Sequence, residues 1–235
     1  MGDIQVAFAL AAELIFSGDA DLFEIIGLSL SVSVAAVGLA CALGMTLGAT
    51  IAVTRFPGRP AFIVLLNALM GLPPVVVGLA VYLILSRAGP LGVLGLLYTP
   101  TAMIVAQTIL VTPVIAALTR QVVEDLHHEY EESLKSLGVN GIGLIQTLLW
   151  DARYSLITVA LAGFGRAVAE VGAVIIVGGN IDHLTRMMTT AIALETSKGN
   201  LALALALGIV LVGISLAVNG AVSGLGGVAG RRRNV

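Results

Sequence analysis

Four stretches of this chain contain no Asp, Glu, Lys or Arg: Ile25–Val53, Pro60–Ser86, Ala88–Thr119 and Gly199–Gly230. Each exceeds the roughly 20 apolar residues needed to cross about 30 Å of hydrocarbon. A fifth apolar stretch, Tyr154–Ile181, is interrupted only by Arg166 and Glu170. Backbone amides find no hydrogen-bond partner in lipid, so segments of this kind cross as helices. The sequence therefore predicts an all-α polytopic membrane protein with five core spans, at about 25–53, 61–86, 94–119, 154–178 and 200–224. Composition excludes an ordinary soluble domain: 58% of residues are hydrophobic and 11% charged, against about 25% charged in soluble chains.

The N-terminal residues read differently. Ile4–Phe16 is apolar, but it is broken by Glu13 and too short to cross. It is read as an interfacial helix lying along the membrane, with a sixth, weakly hydrophobic span as the alternative. The expected organisation is an interfacial segment over 1–21, a transmembrane domain over 22–230 and a basic tail over 231–235, with no appended regulatory domain. No cleavable leader is expected, so the first span acts as its own insertion signal. The single cysteine, Cys41, lies among small apolar residues and reads as a packing residue.

Lys and Arg in the short loops set the orientation. Under a five-span count, Arg55, Arg59, Arg120, Lys135, Arg153, Arg231, Arg232 and Arg233 fall on one side, and only Arg87, Arg186 and Lys198 on the other. The richer side is cytoplasmic, which puts the N-terminus outside. The first 54 residues carry Asp3, Glu13, Asp19, Asp21 and Glu24 but no basic residue, in keeping with that placement.

Arg120–Arg153 is the one sizeable hydrophilic stretch, and it is cytoplasmic. Val123, Leu126, Tyr130, Leu134 and Leu137 recur at helical spacing on one face. Gly138 is suited to end that helix in a left-handed conformation, and Ile142–Trp150 reads as a second helix. A helix–glycine–helix element projecting from a membrane face is expected to need a partner.

Glu132-Ser133-Leu134, followed after three residues by Gly138, resembles the cytoplasmic signature of ABC-importer permeases, Glu-Ala-Ala-x-x-x-Gly. The chain departs from it by lacking both alanines, and it has Leu148-Leu149-Trp150-Asp151 where the family pattern ends in Ile-x-Leu-Pro. The resemblance extends through Thr54-Arg-Phe-Pro-Gly-Arg59, Met70-Gly-Leu-Pro-Pro-Val-Val-Val-Gly78, Leu97-Tyr-Thr-Pro-Thr-Ala102, Gly163–Ala173 and Val177-Gly-Gly-Asn-Ile181, which are similar to the molybdate/tungstate branch. Thr189–Gly199 is similar to tungstate permeases. These motifs cover most of the chain from about Leu22 onward.

The resemblance implies a type I importer permease fold (MetI-like, molybdate-permease-like) in the cell inner membrane. It also implies work as a homodimer with a separate ABC ATPase subunit and a periplasmic or lipid-anchored oxyanion-binding protein. The substrate it implies is an oxyanion, tungstate, with molybdate or sulfate as alternatives within the class. It makes Glu132, Leu134, Ser136, Leu137, Gly138 and Val139 the coupling residues that dock on the ATPase. A secondary carrier or channel without ATP is the alternative from another class. No nucleic-acid partner is expected.

Residue chemistry is consistent with transport rather than catalysis. No Gly-x-x-x-x-Gly-Lys-Ser/Thr pattern occurs, so ATP is expected to be used by the partner, and no cofactor is expected here. Arg166 and Glu170, at i and i+4, are read as one helix face. There they either line the translocation path or form a structural ion pair. Pro73 and Pro74 fall mid-span, flanked by Gly71 and Gly78, and should break the helix; such breaks often lie near a substrate path, although a packing kink is the plainer alternative. The segment Gly178–Asn200 is expected to be an outer loop where a binding protein docks through Asn180, Asp182 and Arg186, together with Leu85–Leu97. His127, His128 and His183 have no second ligand at metal spacing in the sequence, so no metal is expected.

Overall fold

The computed structural model of the protein describes residues 2–18, 20–136 and 141–231. All regular structure among them is helical. In chain order the helices are α1 Gly2–Phe16, α2 Ala20–Val53, α3 Arg59–Met70, α4 Pro74–Leu85, α5 Pro100–Ser136, α6 Gly141–Asp151, α7 Arg153–Val168, α8 Gly172–Gly178, α9 Met188–Ser197 and α10 Leu201–Arg231. Among the described residues three helices, α2, α5 and α10, are long and apolar enough to cross a membrane. The bent pairs α3–α4 and α7–α8 each pass the same test when taken together, so the described residues hold up to five spans, counting each bent pair as one.

Two of the expected spans are therefore not continuous helices. The run expected at 61–86 ends at Met70 and restarts at Pro74. Neither proline has an N–H to donate, so a helical ladder cannot be carried through them. The run expected at 154–178 stops at Val168 and resumes at Gly172. The expected outer loop, Gly178–Asn200, also departs from expectation, because it contains α9. Met188, Thr189, Thr190 and Ala191 of that helix are buried.

The chain forms two compact units, each assembled from separated segments. The first comprises Met1–Ala36, Pro73–Gln107 and Gly165–Asn219; the second comprises Val37–Leu72, Thr108–Phe164 and Gly220–Val235. In the first unit Leu22, Met188, Ala191, Ala206, Leu207 and Val210 form a buried cluster. Ser29 ties α2 to α9 there: its hydroxyl accepts the Met188 N–H at 2.8 Å and donates to the Ile25 carbonyl at 2.7 Å. In the second unit one cluster is built from Ala49, Ala52, Val123 and Leu148, and another from Ile51, Leu66, Ala116 and Ala117.

Small residues let backbones approach where dispersion, rather than burial from water, must hold helices together. A Cβ on Gly48 of α2 would fall 2.3 Å from the Ala116 carbonyl oxygen of α5, so only glycine fits at that crossing. Long apolar side chains such as Leu43, Val64, Leu83 and Leu216 point outward. That surface suits lipid, where exposure of carbon is no penalty.

Candidate translocation and coupling sites

The two helix breaks meet in the first unit. α4 begins on Pro74, and the Pro73 carbonyl accepts the Val76 N–H at 3.0 Å. α8 lies against α4 closely enough that a Cβ on Gly172 would be 3.0 Å from Val75 Cγ2 and 3.5 Å from Pro74 Cβ. One turn further along α4, a Cβ on Gly78 would fall 2.7 Å from the Ala173 Cα. The start of α8 thus sits against the first turn of α4.

The polar groups released by the α7–α8 break are held by named partners. The Gln107 amide donates to the Ala167 carbonyl at 3.1 Å, and the Thr189 hydroxyl donates to the Glu170 carbonyl at 2.9 Å. The Glu170 carboxylate accepts the Ala173 N–H at 3.1 Å, taking up one of the unpaired amides at the start of α8. Glu170 is only 3% exposed. The reading of Arg166 and Glu170 as one continuous helix face is corrected here: Glu170 lies beyond the end of α7, in the break itself.

Their carboxylate and guanidinium still approach, with Arg166 Nη2 3.8 Å from Glu170 Oε2, but the Arg166 side chain is 35% exposed. The acid is thus fixed by the backbone it caps, while the arginine remains partly exposed. Neither Gln107 nor Thr189 stood out in the sequence, because their partners lie 60 and 19 residues away.

Glu170→Gln should retain an oxygen for the Ala173 N–H but release Arg166, lowering stability by about 1 kcal/mol. Glu170→Ala removes the acceptor as well and should cost about 3 kcal/mol. Thermal unfolding of the detergent-purified chain measures both, and equal midpoints for the two variants would contradict this account.

On the expected outer side, the turn after α8 is stitched internally. The Asn180 amide reaches the Thr190 carbonyl at 3.5 Å, and the Thr185 hydroxyl accepts the Ile181 N–H and donates to the Gly178 carbonyl. Asp182 and Arg186 pair at 2.5 Å. His183 meets Glu24 of α2, Nδ1 to Oε2 at 3.0 Å, across 159 residues of sequence.

Ligand atoms of Asp21, Glu24 and His183 all lie within 4.8 Å of one another, with all three residues exposed. Sequence spacing offers His183 no second ligand; the fold brings two carboxylates beside it that the spacing conceals. The Glu24 hydrogen bond, followed by the charges of Asp182 and Glu24, raises the His183 pKa above its ordinary value. A raised folded-state value means the contact stabilises fully below about pH 6.5 and is lost as pH climbs through the folded pKa. Glu24→Gln should return His183 toward its ordinary value in an NMR titration; an unmoved value would sink the assignment.

On the expected cytoplasmic side, α5 continues unbroken from its apolar part to Ser136. Its 37 residues span roughly 55 Å at 1.5 Å per residue, well beyond the hydrocarbon thickness. Arg59, the first residue of α3, binds this extension to the end of α2. Its Nε donates to the Ile51 carbonyl at 3.0 Å, and its Nη2 to the Ala52 carbonyl at 3.3 Å and to Glu124 at 2.8 Å. Arg120 bonds the other Glu124 oxygen, and Arg55 approaches Glu131 at 3.7 Å.

The described part of the apolar face expected on α5, Val123, Leu126 and Tyr130, packs within the chain. Val123 is buried against Ala49, Ala52 and Leu148, with Leu126 and Tyr130 packed around it. Glu132 is exposed on the far part of α5. Leu134 and Ser136 lie in the helical backbone of α5, and Leu137, Gly138 and Val139 lie outside the described residues.

Residues 40–225 match the family of binding-protein-dependent transport system inner membrane components. A tungstate uptake system permease protein of Peptoclostridium acidaminophilum is 41% identical over 222 residues, covering 94% of this chain and 97% of that protein. A probable anion ABC transporter permease protein of Haloferax volcanii is 41% identical over 203 residues, covering 84% and 88%. A sulfate transport system permease protein of Synechocystis is more distant, 27% identical over 208 residues, covering 86% and 75%.

Proposed function

Because the chain belongs to the family of binding-protein-dependent transport system inner membrane components, we propose that it is the permease subunit of an ATP-driven importer that carries tungstate across the membrane. The observation that carries this reading is the 41% identity to a tungstate uptake permease over 94% of the chain, against 27% to a sulfate permease over a similar length. Coverage of 94% of the chain makes this a likeness of the whole permease subunit.

In this reading one pore forms between two copies of the chain. ATP is bound and hydrolysed by a separate subunit docked on the α5–α6 region through Glu132, Leu134, Ser136, Leu137, Gly138 and Val139. A binding protein delivers the oxyanion at the outer side near Asn180, Asp182 and Arg186. Arg166, beside the break that faces Pro73 and Pro74, offers the passing dianion a partly exposed guanidinium, and Glu170 limits how tightly that cation can hold it. Closure of the ATPase subunits moves the cytoplasmic end of α5 and rocks the spans as rigid bodies.

The test is uptake into vesicles carrying this chain with its ATPase subunit and binding protein. Tungstate should accumulate only with internal ATP, and a molar excess of sulfate should not compete. Preferential competition by molybdate would move the substrate to that anion. Accumulation without the ATPase subunit would replace the importer by a secondary carrier.

A further inference from the structure

An arginine lining a cavity lies just past the end of α4. The chain turns back sharply after Leu85, and the Leu91 N–H returns to the Ile84 carbonyl at 3.0 Å. A Cβ on Gly89 would fall 2.1 Å from the Leu83 carbonyl oxygen, so this reversal is tightly closed. Next to it opens a cavity of about 680 Å³ walled by Tyr82, Leu85, Ser86, Arg87, Leu97 and Tyr98, among others. Tyr98 is fixed in place. It adopts a left-handed backbone (φ 60°), its N–H binds the Val177 carbonyl at 2.9 Å, and its ring rests where a Cβ on Gly179 would be only 2.8 Å away. Tyr82 meets its edge with ring centroids 6.3 Å apart.

Arg87 is the unusual member of this wall. Among residues with described side chains, Arg55, Arg59, Arg120, Arg166, Arg186 and Lys198 each pair with a carboxylate. Arg153 stacks on Trp150 and Tyr154. Arg87 has no ion pair among the described residues, and its own stretch of sequence supplies none, since no Asp or Glu occurs between Glu24 and Glu124. A cation held beside two phenols and apolar walls, with no counter-charge of its own, is complementary to a carboxylate on an apolar stem. A free oxyanion would fill little of so large a space and would stay largely hydrated.

We propose that the Arg87 pocket receives an acidic side chain protruding from the protein that delivers the substrate. This rests on the importer reading, and it adds the charge of the docking partner at Leu85–Leu97, a segment the sequence only marked as part of the docking surface. Such a contact at a solvated rim steers encounter and is sensitive to salt.

The test titrates the tungstate-loaded binding protein against ATPase activity of the assembled transporter, in vesicles and in lipid-free detergent, at low and high salt. Arg87→Ala should raise the half-saturating concentration of binding protein about fivefold at low salt. Arg87→Glu should raise it further, Arg87→Lys should recover most of the loss, and the differences should shrink at high salt. Wild-type half-saturation in Arg87→Glu overturns the proposal. So does a shift confined to vesicles, which would assign the pocket to lipid phosphate, or one that free tungstate abolishes in the wild type, which would assign it to the oxyanion. A wild-type complex that ignores the binding protein would instead sink the importer reading itself.

Discussion

Gly78→Val should yield no monodisperse protein on detergent extraction. Gly78 is buried where α4 crosses α8, and its missing Cβ would lie 2.7 Å from the Ala173 Cα, 3.1 Å from its oxygen and 3.3 Å from its carbonyl carbon. All three are backbone atoms, so no side-chain rotation can relieve the clash and the helices must separate. Overpacking with one methyl group typically costs about 1–3 kcal/mol. A branched side chain against backbone exceeds that, and it also separates α8 from the Pro74 break that it covers.

Gly38→Ala is the matched control, because nothing lies within 4 Å of its added carbon and alanine favours helix. Size-exclusion profiles and thermal midpoints of the two variants check the expectation. A Gly78→Val chain that elutes like the control would mean that α4 and α8 are not in contact.

Gly138→Asp should abolish tungstate uptake and the stimulation of ATPase activity while leaving the amount of inserted chain near wild type. The chain must pass from α5, which is helical to Ser136, into α6, which begins at Gly141. Glycine is the residue best suited to a left-handed turn ending a helix. An aspartate at this position adds negative charge to a segment already holding Glu124, Asp125, Glu129, Glu131 and Glu132. The buried cluster of Ala49, Ala52, Val123 and Leu148 does not include the substituted residue, which is why insertion should survive. Reconstituted vesicles and immunoblots of membranes give the two readouts, and undiminished uptake would remove the coupling role from this segment.

These two expectations draw on different kinds of information. Gly138 stood out in the sequence, from its spacing after Glu132 and from the helix it is suited to end. Gly78 was visible only as a flank of the Pro73–Pro74 pair; that its missing carbon faces the backbone at Ala173 is known from the tertiary arrangement alone. The same division runs through the candidate site. Pro73 and Pro74 announce a break, because a residue without an N–H cannot continue a ladder whatever surrounds it. Nothing comparable announced the break at Glu170, where no proline stands. That break depends on Gln107, Thr189 and the acid's own carboxylate taking up the freed groups.

By itself the sequence determined that the chain lives in a membrane and where a proline pair interrupts one apolar run; it predicted five spans and a cytoplasmic side for the α5 extension. Those are properties of local runs: hydrocarbon thickness sets length, loop cations set orientation, and proline removes a donor. The tertiary structure decided how the polar residues are partnered. Arg59 finds Glu124 across 65 residues, His183 finds Glu24 across 159, and Glu170 turns to a backbone amide. It also decided that Val123, Leu126 and Tyr130 of α5 pack against α2 and α6. Contacts between distant segments leave no periodicity along the chain, so only the folded arrangement could reveal them.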